Sequence, residues 1–206
     1  MIPEGRIGVI AIGHRDYVGG MWDTLGRLQF DFLLSRGLLP QHVFLDIACG
    51  SLRGGIHFID YLDRGNYLGI EKERLLIQKG IEKELAAEVY AAKAPELIAS
   101  PSFEFERFSK KPNFSLAQSL FTHLNEADVK LCLSNLRASV QPGHELYATF
   151  APGARAGTGK SHARAGFHYA REQLELIGQG EGWAARYIGD WGHPRSQMMM
   201  QFVADE

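Results

Sequence analysis

From Val43 the chain runs Val-Phe-Leu-Asp-Ile-Ala and is then broken sharply by Cys49-Gly50-Ser51. A short apolar run ended by a turn is the pattern of a strand buried on both faces. A helix is expected to follow from near Ser51, with Ser51 as N-cap and Ile56, Phe58, Ile59 and Leu62 supplying its packed face. Asn66 to Glu71 returns as a second apolar strand that ends on an acid. Upstream, Trp22, Leu25, Leu28, Phe32 and Leu33 recur at helical spacing, predicting a helix over 21–35 that Gly37 stops. Downstream, Ile77, Ile81, Leu85 and Val89 predict one amphipathic crossover helix over 73–92, followed by a short strand at 96–99. A fourth strand is read over 114–121, a helix capped by Asn125 through Ala138, and, after the Pro142-Gly143 turn, a fifth strand over 145–150. A helix over 169–179 precedes two alternating apolar runs, 184–191 and 197–204. Gly192-His193-Pro194 turns between these runs, which is the pattern of an antiparallel hairpin.

Strands alternating with helices and closed by a hairpin predict an α/β, Rossmann-like fold. Its seven-stranded sheet is mostly parallel, with a C-terminal antiparallel hairpin and helices on both faces. At 206 residues it is read as a single domain, 1–206. Residues 1–20 are glycine-rich and irregular in pattern, and form either a segment folded over a site or a plain N-terminal arm. No acid stands between Ala151 and Arg171, where Arg155, Lys160, His162, Arg164 and His168 are interleaved with glycines. That run, with its core at 151–168, is either a lid that binds an anionic group or a solvated loop.

A glycine turn between two strands, with a carboxylate at the tip of the second, suits an adenosine-containing cofactor. The N–H groups of the turn attract negative charge, and Glu71 accepts from ribose hydroxyls. A dinucleotide site would want G-x-G-x-x-G, but only Gly50 stands in the turn. Asp46-Ile47-Ala48-Cys49-Gly50-Ser51-Leu52, with Glu71, the segment Gln118 to Leu124 and the terminal hairpin, instead resembles the class I S-adenosylmethionine-dependent methyltransferases from Tyr17 onward. That family usually carries D-x-G-x-G-x-G, so Ala48 and Leu52 stand here where it has glycine.

The resemblance implies transfer of a methyl group from S-adenosylmethionine to an oxygen or nitrogen of a small molecule, leaving S-adenosylhomocysteine. It implies cofactor contacts from Gly19, Gly20, Asp46, Ala48, Cys49, Gly50, Leu52, Arg53, Glu71, Lys72, Ser102, Phe103, Gln118 and Ser119. Arg53 is matched to the methionine carboxylate and Glu71 to the ribose, while Ser102 or Phe103 is the adenine candidate. An anionic or phenol-like acceptor is assigned to Tyr17, Phe121, Arg155, Arg164 and His168. His123 is the candidate base, with His193 as rival and His162 or His168 as further options. A nicotinamide-dependent oxidoreductase and a non-catalytic S-adenosylmethionine-binding protein are the alternatives.

Charge and cysteines narrow this further. A net charge of −2 offers no general attraction to nucleic acid or an anionic membrane. Cys49 and Cys132 belong to no C-x-x-C pair or Cys/His cluster, so no metal site is expected. A reduced, cytoplasmic protein fits, as a monomer or homodimer, since no basic region precedes a long apolar core at the start.

Overall fold

The two apolar runs around Gly50 become neighbouring parallel strands, β1 (Phe44–Ile47) and β2 (Tyr67–Glu71), each buried along its whole length. The computed structural model describes residues 3–153 and 159–206, and the chain divides into compact units at 1–102 and 103–206. In the first unit β3 (Glu96–Ala99) adds parallel to β2, so the order is β3-β2-β1 and Glu71 lies level with Ala99 at the strand ends. The helices of this unit are α1 (Gly5–Ile12), α2 (His14–Tyr17), α3 (Trp22–Ser35), α4 (Gly55–Tyr61), α5 (Arg74–Glu84) and α6 (Ala87–Lys93).

Three expectations are corrected here. Residues 5–17 are helical rather than irregular. Glycines punctuate the two short helices, at Gly5 and Gly13 with φ of 60° and 84°, and Val9 is 3% exposed.

The helix expected from Ser51 starts at Gly55. Leu52 stands at φ 68°, where no right-handed helix can run, and the fully buried Ser51 Oγ makes no cap.

The expected crossover helix breaks at Leu85, whose backbone is extended. A stripe repeating every four residues rotates by about 40° per step on an α-helix, so one straight helix would carry Val89 roughly 120° away from Ile77. With the break, α5 packs through Leu76 and Ile77, while α6 buries no residue fully.

Leu52 also shows how the chain tolerates a side chain where glycine would be unstrained. It is fully buried, and an added Cβ at Gly55 or Gly80 would come within 3.0 Å or 2.8 Å of its side chain. The space that glycine would leave at 52 has in effect moved to 55 and 80. Leu52→Gly would relieve about 1–2 kcal/mol of left-handed strain but lose at least the roughly 3–5 kcal/mol typical of emptying a buried leucine site. Urea unfolding is therefore expected to show a net loss of about 1–4 kcal/mol, and an unchanged or higher midpoint would overturn this account.

The second unit holds β4 (Phe114–Ala117), α7 (Glu126–Ser139), β5 (Glu145–Pro152), β6 (His168–Tyr169), α8 (Arg171–Gly180), β7 (Trp183–Asp190) and β8 (Met198–Ala204). β5 is parallel to β4 and antiparallel to β8, which pairs antiparallel with β7, giving the order β4-β5-β8-β7 and the expected hairpin. β4 ends at Ala117, short of the expected Phe121, because Ser119 takes φ 58° and a 3-10 turn follows at Phe121–His123. Asn125 caps α7 as expected, its Oδ1 accepting from Asp128 N–H at 2.9 Å. Tyr169, expected in a helix, instead pairs with Pro152 in β6 and donates through its hydroxyl to Leu124 O, so α8 starts at Arg171. Fully buried Trp183, Tyr147, Phe150 and Phe202 fill the core of this unit.

Candidate functional site

In the first unit the turn after β1 keeps an unusual backbone. Ala48, Gly50 and Leu52 all have positive φ, of 61°, 57° and 68°. Two of the three carry a side chain, and each such residue in this region costs of order 1 kcal/mol. Strain held in a tight turn between two buried strands marks a backbone path that the surroundings impose.

The acid of β2 reaches across to this turn. Gly50 N–H donates to Glu71 Oε2 at 3.1 Å and Glu73 N–H donates to Oε1 at 2.9 Å. Glu71 is 7% exposed, and burial raises its pKa while the two N–H donors oppose that rise. Each of its oxygens has capacity for a further donor.

Beneath the turn, Asp46 accepts from Tyr67 Oη at 2.8 Å, and its pKa is pushed up to about 7, chiefly by complete burial. Arg53, 8% exposed, donates through Nη1 to Val18 O at 3.0 Å and Gly20 O at 2.9 Å. The structure thus brings Arg53 against the segment that holds Gly19 and Gly20. Val18 lies over the turn, its Cγ1 only 2.9 Å from where a Cβ on Gly50 would stand.

The other expected cofactor contacts of this unit are scattered. Cys49 is buried with its thiol pKa raised well above the ordinary value by desolvation, so it packs as a neutral thiol. Lys72 is exposed. Ser102 is exposed and donates its N–H to Ser100 Oγ at 3.1 Å. Tyr17, expected at the acceptor, accepts from Gly5 N–H at 2.8 Å and pins α1.

In the second unit the end of β4 gathers a polar network that no spacing in the sequence announces. Ser119 N–H donates to Thr149 Oγ1 at 2.6 Å, and the hydroxyls of Ser119 and Thr149 both donate to Gln197 Oε1, at 2.9 and 2.8 Å. Gln118 Nε2 donates to Ser119 Oγ at 2.7 Å and lies 3.1 Å from His193 Nε2. His193 is 5% exposed and packs on Trp191, whose Nε1–H donates to Gln197 O. Gln118, Ser119 and His193 were expected at a site, whereas Thr149 and Gln197 were not. The residue separations reach 78 positions, and only the hairpin folding back onto β4 closes them.

His123 bonds through Nδ1 to Ala165 O at 2.7 Å, which places its ring proton on Nδ1. That contact is one of a row. Phe167 N–H donates to Thr122 O, Asn125 Nδ2 to Gly159 O, and Asn125 N–H to Ser161 Oγ, which itself bonds Asp128. The basic stretch over 159–169 is therefore stapled to the 3-10 turn and the start of α7. Arg164 and His168 are exposed on it, and Arg155 lies outside the described residues. Phe121, expected to face an acceptor, is fully buried edge-on to Phe202 and belongs to the core. Phe103 is half-buried at φ 53° and stacks on Phe105.

No protein-family model matches the chain, and no curated protein matches it in sequence. Its structure is similar to solved methyltransferases. The magnesium protoporphyrin IX methyltransferase of Synechocystis with bound SAM is 14% identical, with a TM-score of 0.67 over 93% of this chain and 89% of that one. An S-adenosylmethionine-dependent methyltransferase of Clostridium acetobutylicum is 8% identical, with a TM-score of 0.67 over 96% and 98%. The CcbJ methyltransferase of Streptomyces caelestis is 14% identical, with a TM-score of 0.66 over 88% and 90%. The chain has the fold of the class I S-adenosylmethionine-dependent methyltransferases. No helix among the described residues is long and apolar enough to cross a membrane.

Proposed function

We propose that this chain is an S-adenosylmethionine-dependent methyltransferase acting on an oxygen or nitrogen of a small-molecule acceptor. The observation that carries the reading is the hook of Glu71 onto Gly50 N–H across a turn that stays left-handed at 48, 50 and 52 although two of those residues are not glycine. The donor set suits the cofactor. Glu71 has oxygen capacity for two ribose hydroxyls, and Arg53 stands at the turn with a guanidinium suited to a carboxylate. Bound there, S-adenosylmethionine supplies an electrophilic methyl group, and the chain's part is to hold and orient it. The exposed Arg164 and His168, on a stretch stapled to the 3-10 turn at Phe121–His123, favour an acceptor with negative charge. His123, with its ring proton held by Ala165 O, presents Nε2 as the basic nitrogen, and His193 is its rival. A nicotinamide-dependent oxidoreductase is the weaker reading, because a single glycine in the turn does not open it to a pyrophosphate.

At one hundred times Kd a ligand stabilises by about 2.7 kcal/mol, which for a chain of this size corresponds to a Tm rise of roughly 5–10 °C. S-adenosylmethionine and S-adenosylhomocysteine are expected to give that shift, and NAD and NADP none. The reverse pattern would make the chain an oxidoreductase. Release of S-adenosylhomocysteine across a panel of phenols, carboxylates and amines then identifies the acceptor, with His123→Ala and His193→Ala separating the two bases by kcat/KM. Binding without turnover on any acceptor would leave a non-catalytic binding protein.

A further inference from the structure

We propose that residues 13–20 form a hinged strap over the Gly50 turn, and that Glu84 is its latch, a positioning residue that sets how fast cofactor exchanges. The inference rests on the cofactor reading above. The strap is bounded by glycines in conformations that side chains avoid. Gly13 stands at φ 84°, ψ 153°, a region used almost only by glycine, and Gly19 and Gly20 stand at φ 96° and 63°. Nothing lies within 4 Å of a Cβ added at Gly13, so it is the backbone conformation and not crowding that calls for glycine there. Between these hinges α2 is a single helical turn, too short to hold itself in water. Its position is set by what grips it.

Three grips are visible. Glu84, at the end of α5, takes His14 Nε2 at 2.6 Å and both Nε and Nη2 of Arg15 at 2.8 and 2.6 Å. Arg15 also lies over the Trp22 ring at 4.6 Å and His14 meets that ring edge-on. Arg53 holds the carbonyls of Val18 and Gly20, which places Val18 on the turn. The Glu84 side chain is only 5% exposed. A carboxylate that buried needs the Arg15 charge and its hydrogen-bond partners, so strap and latch hold each other. Because the guanidinium of Arg53, a residue just past the turn, holds the strap carbonyls, lifting the strap also frees Arg53, which is matched to the methionine end of the cofactor. No motif or periodicity marks Glu84.

The test has one readout that needs no ligand. In Glu84→Gln an undocked strap melts, so the amides of Tyr17, Gly19 and Gly20, which donate within the strap, are expected to exchange hydrogen about tenfold faster, while those of α5 and β2 do not change. Stopped-flow displacement of S-adenosylhomocysteine is expected to show dissociation faster by about tenfold, the scale of one lost hydrogen bond to a charged group. Glu82→Gln, on the same helix and paired with Lys79 on the surface, is the control and is expected to change neither. Should Glu84→Gln fold poorly, Arg15→Gln removes the bidentate half of the latch from a side chain that is 52% exposed and is expected to act in the same direction. Unchanged exchange and dissociation in both latch variants, or an equal effect in Glu82→Gln, would overturn the proposal. If the wild-type chain binds no S-adenosylhomocysteine, the cofactor reading fails, and the amide-exchange comparison still decides whether Glu84 latches the strap.

Discussion

Glu71→Ala is expected to weaken S-adenosylmethionine binding by about 1.5–3 kcal/mol, roughly 10- to 150-fold in Kd, the range for hydrogen bonds to a charged acceptor. The carboxylate is held between the N–H of Gly50 and that of Glu73 at the tip of β2, so it arrives at the ligand already oriented and loses little entropy on binding. Removing it also leaves two N–H groups of a buried turn without their acceptor, which costs stability as well as affinity. Glu71→Gln separates the two effects. It keeps an acceptor for one of the two N–H groups but turns an NH2 toward the other and loses the charge, so it is expected to lose less stability than Glu71→Ala while still binding more weakly than wild type. Calorimetric titration at neutral pH, with urea unfolding of both variants, provides the measurement. Wild-type affinity in Glu71→Ala would remove the ribose assignment altogether.

Asp46→Asn is expected to stabilise the protein at pH 8 by about 2–4 kcal/mol and to flatten its stability profile at lower pH. Burial raises the Asp46 pKa to about 7, against the lowering effects of the Tyr67 hydroxyl and the Arg53 charge. The folded chain therefore keeps a proton on Asp46 up to about pH 7, whereas the unfolded chain releases it near pH 4. Between those limits the folded state binds more protons, so stability falls as pH rises, at up to about 1.4 kcal/mol per pH unit, and levels off above pH 7. The raised pKa of Glu71 acts in the same sense. Asparagine has no proton to lose and its oxygen can still accept from Tyr67, so the slope contributed by Asp46 vanishes while the hydrogen bond survives. Urea midpoints at pH 5 and pH 8 check this, and parallel pH profiles for wild type and variant would refute it. Such a gain in stability sets the cost of keeping an acid beside Arg53 under the Gly50 turn, and weaker S-adenosylmethionine binding by the variant is the expected counterpart.

The pH slope and the Glu71 hook depend on structure at different ranges, and so does what could be read before folding. Local signals identified β1, the Gly50 turn and the acid at the tip of β2, because two-sided burial, a sharp break and a terminal acid are all written within 30 consecutive residues. Asn125 as a cap, the Pro142-Gly143 turn and the terminal hairpin were legible for the same reason, each being a backbone requirement met by nearby side chains. Where tertiary packing competes with local preference, the reading changed. Ser51 looks like a cap, but Leu52 is drawn into the space left by Gly55 and Gly80 and forbids a helix there. A four-residue apolar repeat looks like one helix, but its stripe drifts around the helix and the chain breaks at Leu85 after the half that packs on the core.

The candidate site divides along the same line. Gly50, Arg53 and Glu71 could be named from a motif, since the roles proposed for them belong to one strand-turn-helix-strand unit. Glu84 against His14 and Arg15, and Gln197 against Ser119, are separated by up to 70 and 78 positions. No periodicity or capping rule connects residues that far apart. The amino-acid sequence by itself determined which segments become strands, where the sharp turns fall and which acid ends β2, because these depend on the conformational limits of neighbouring residues. Only the tertiary structure decided which side chains meet, because burying a charge or a polar hydrogen selects whatever partner the packed chain brings within about 3 Å.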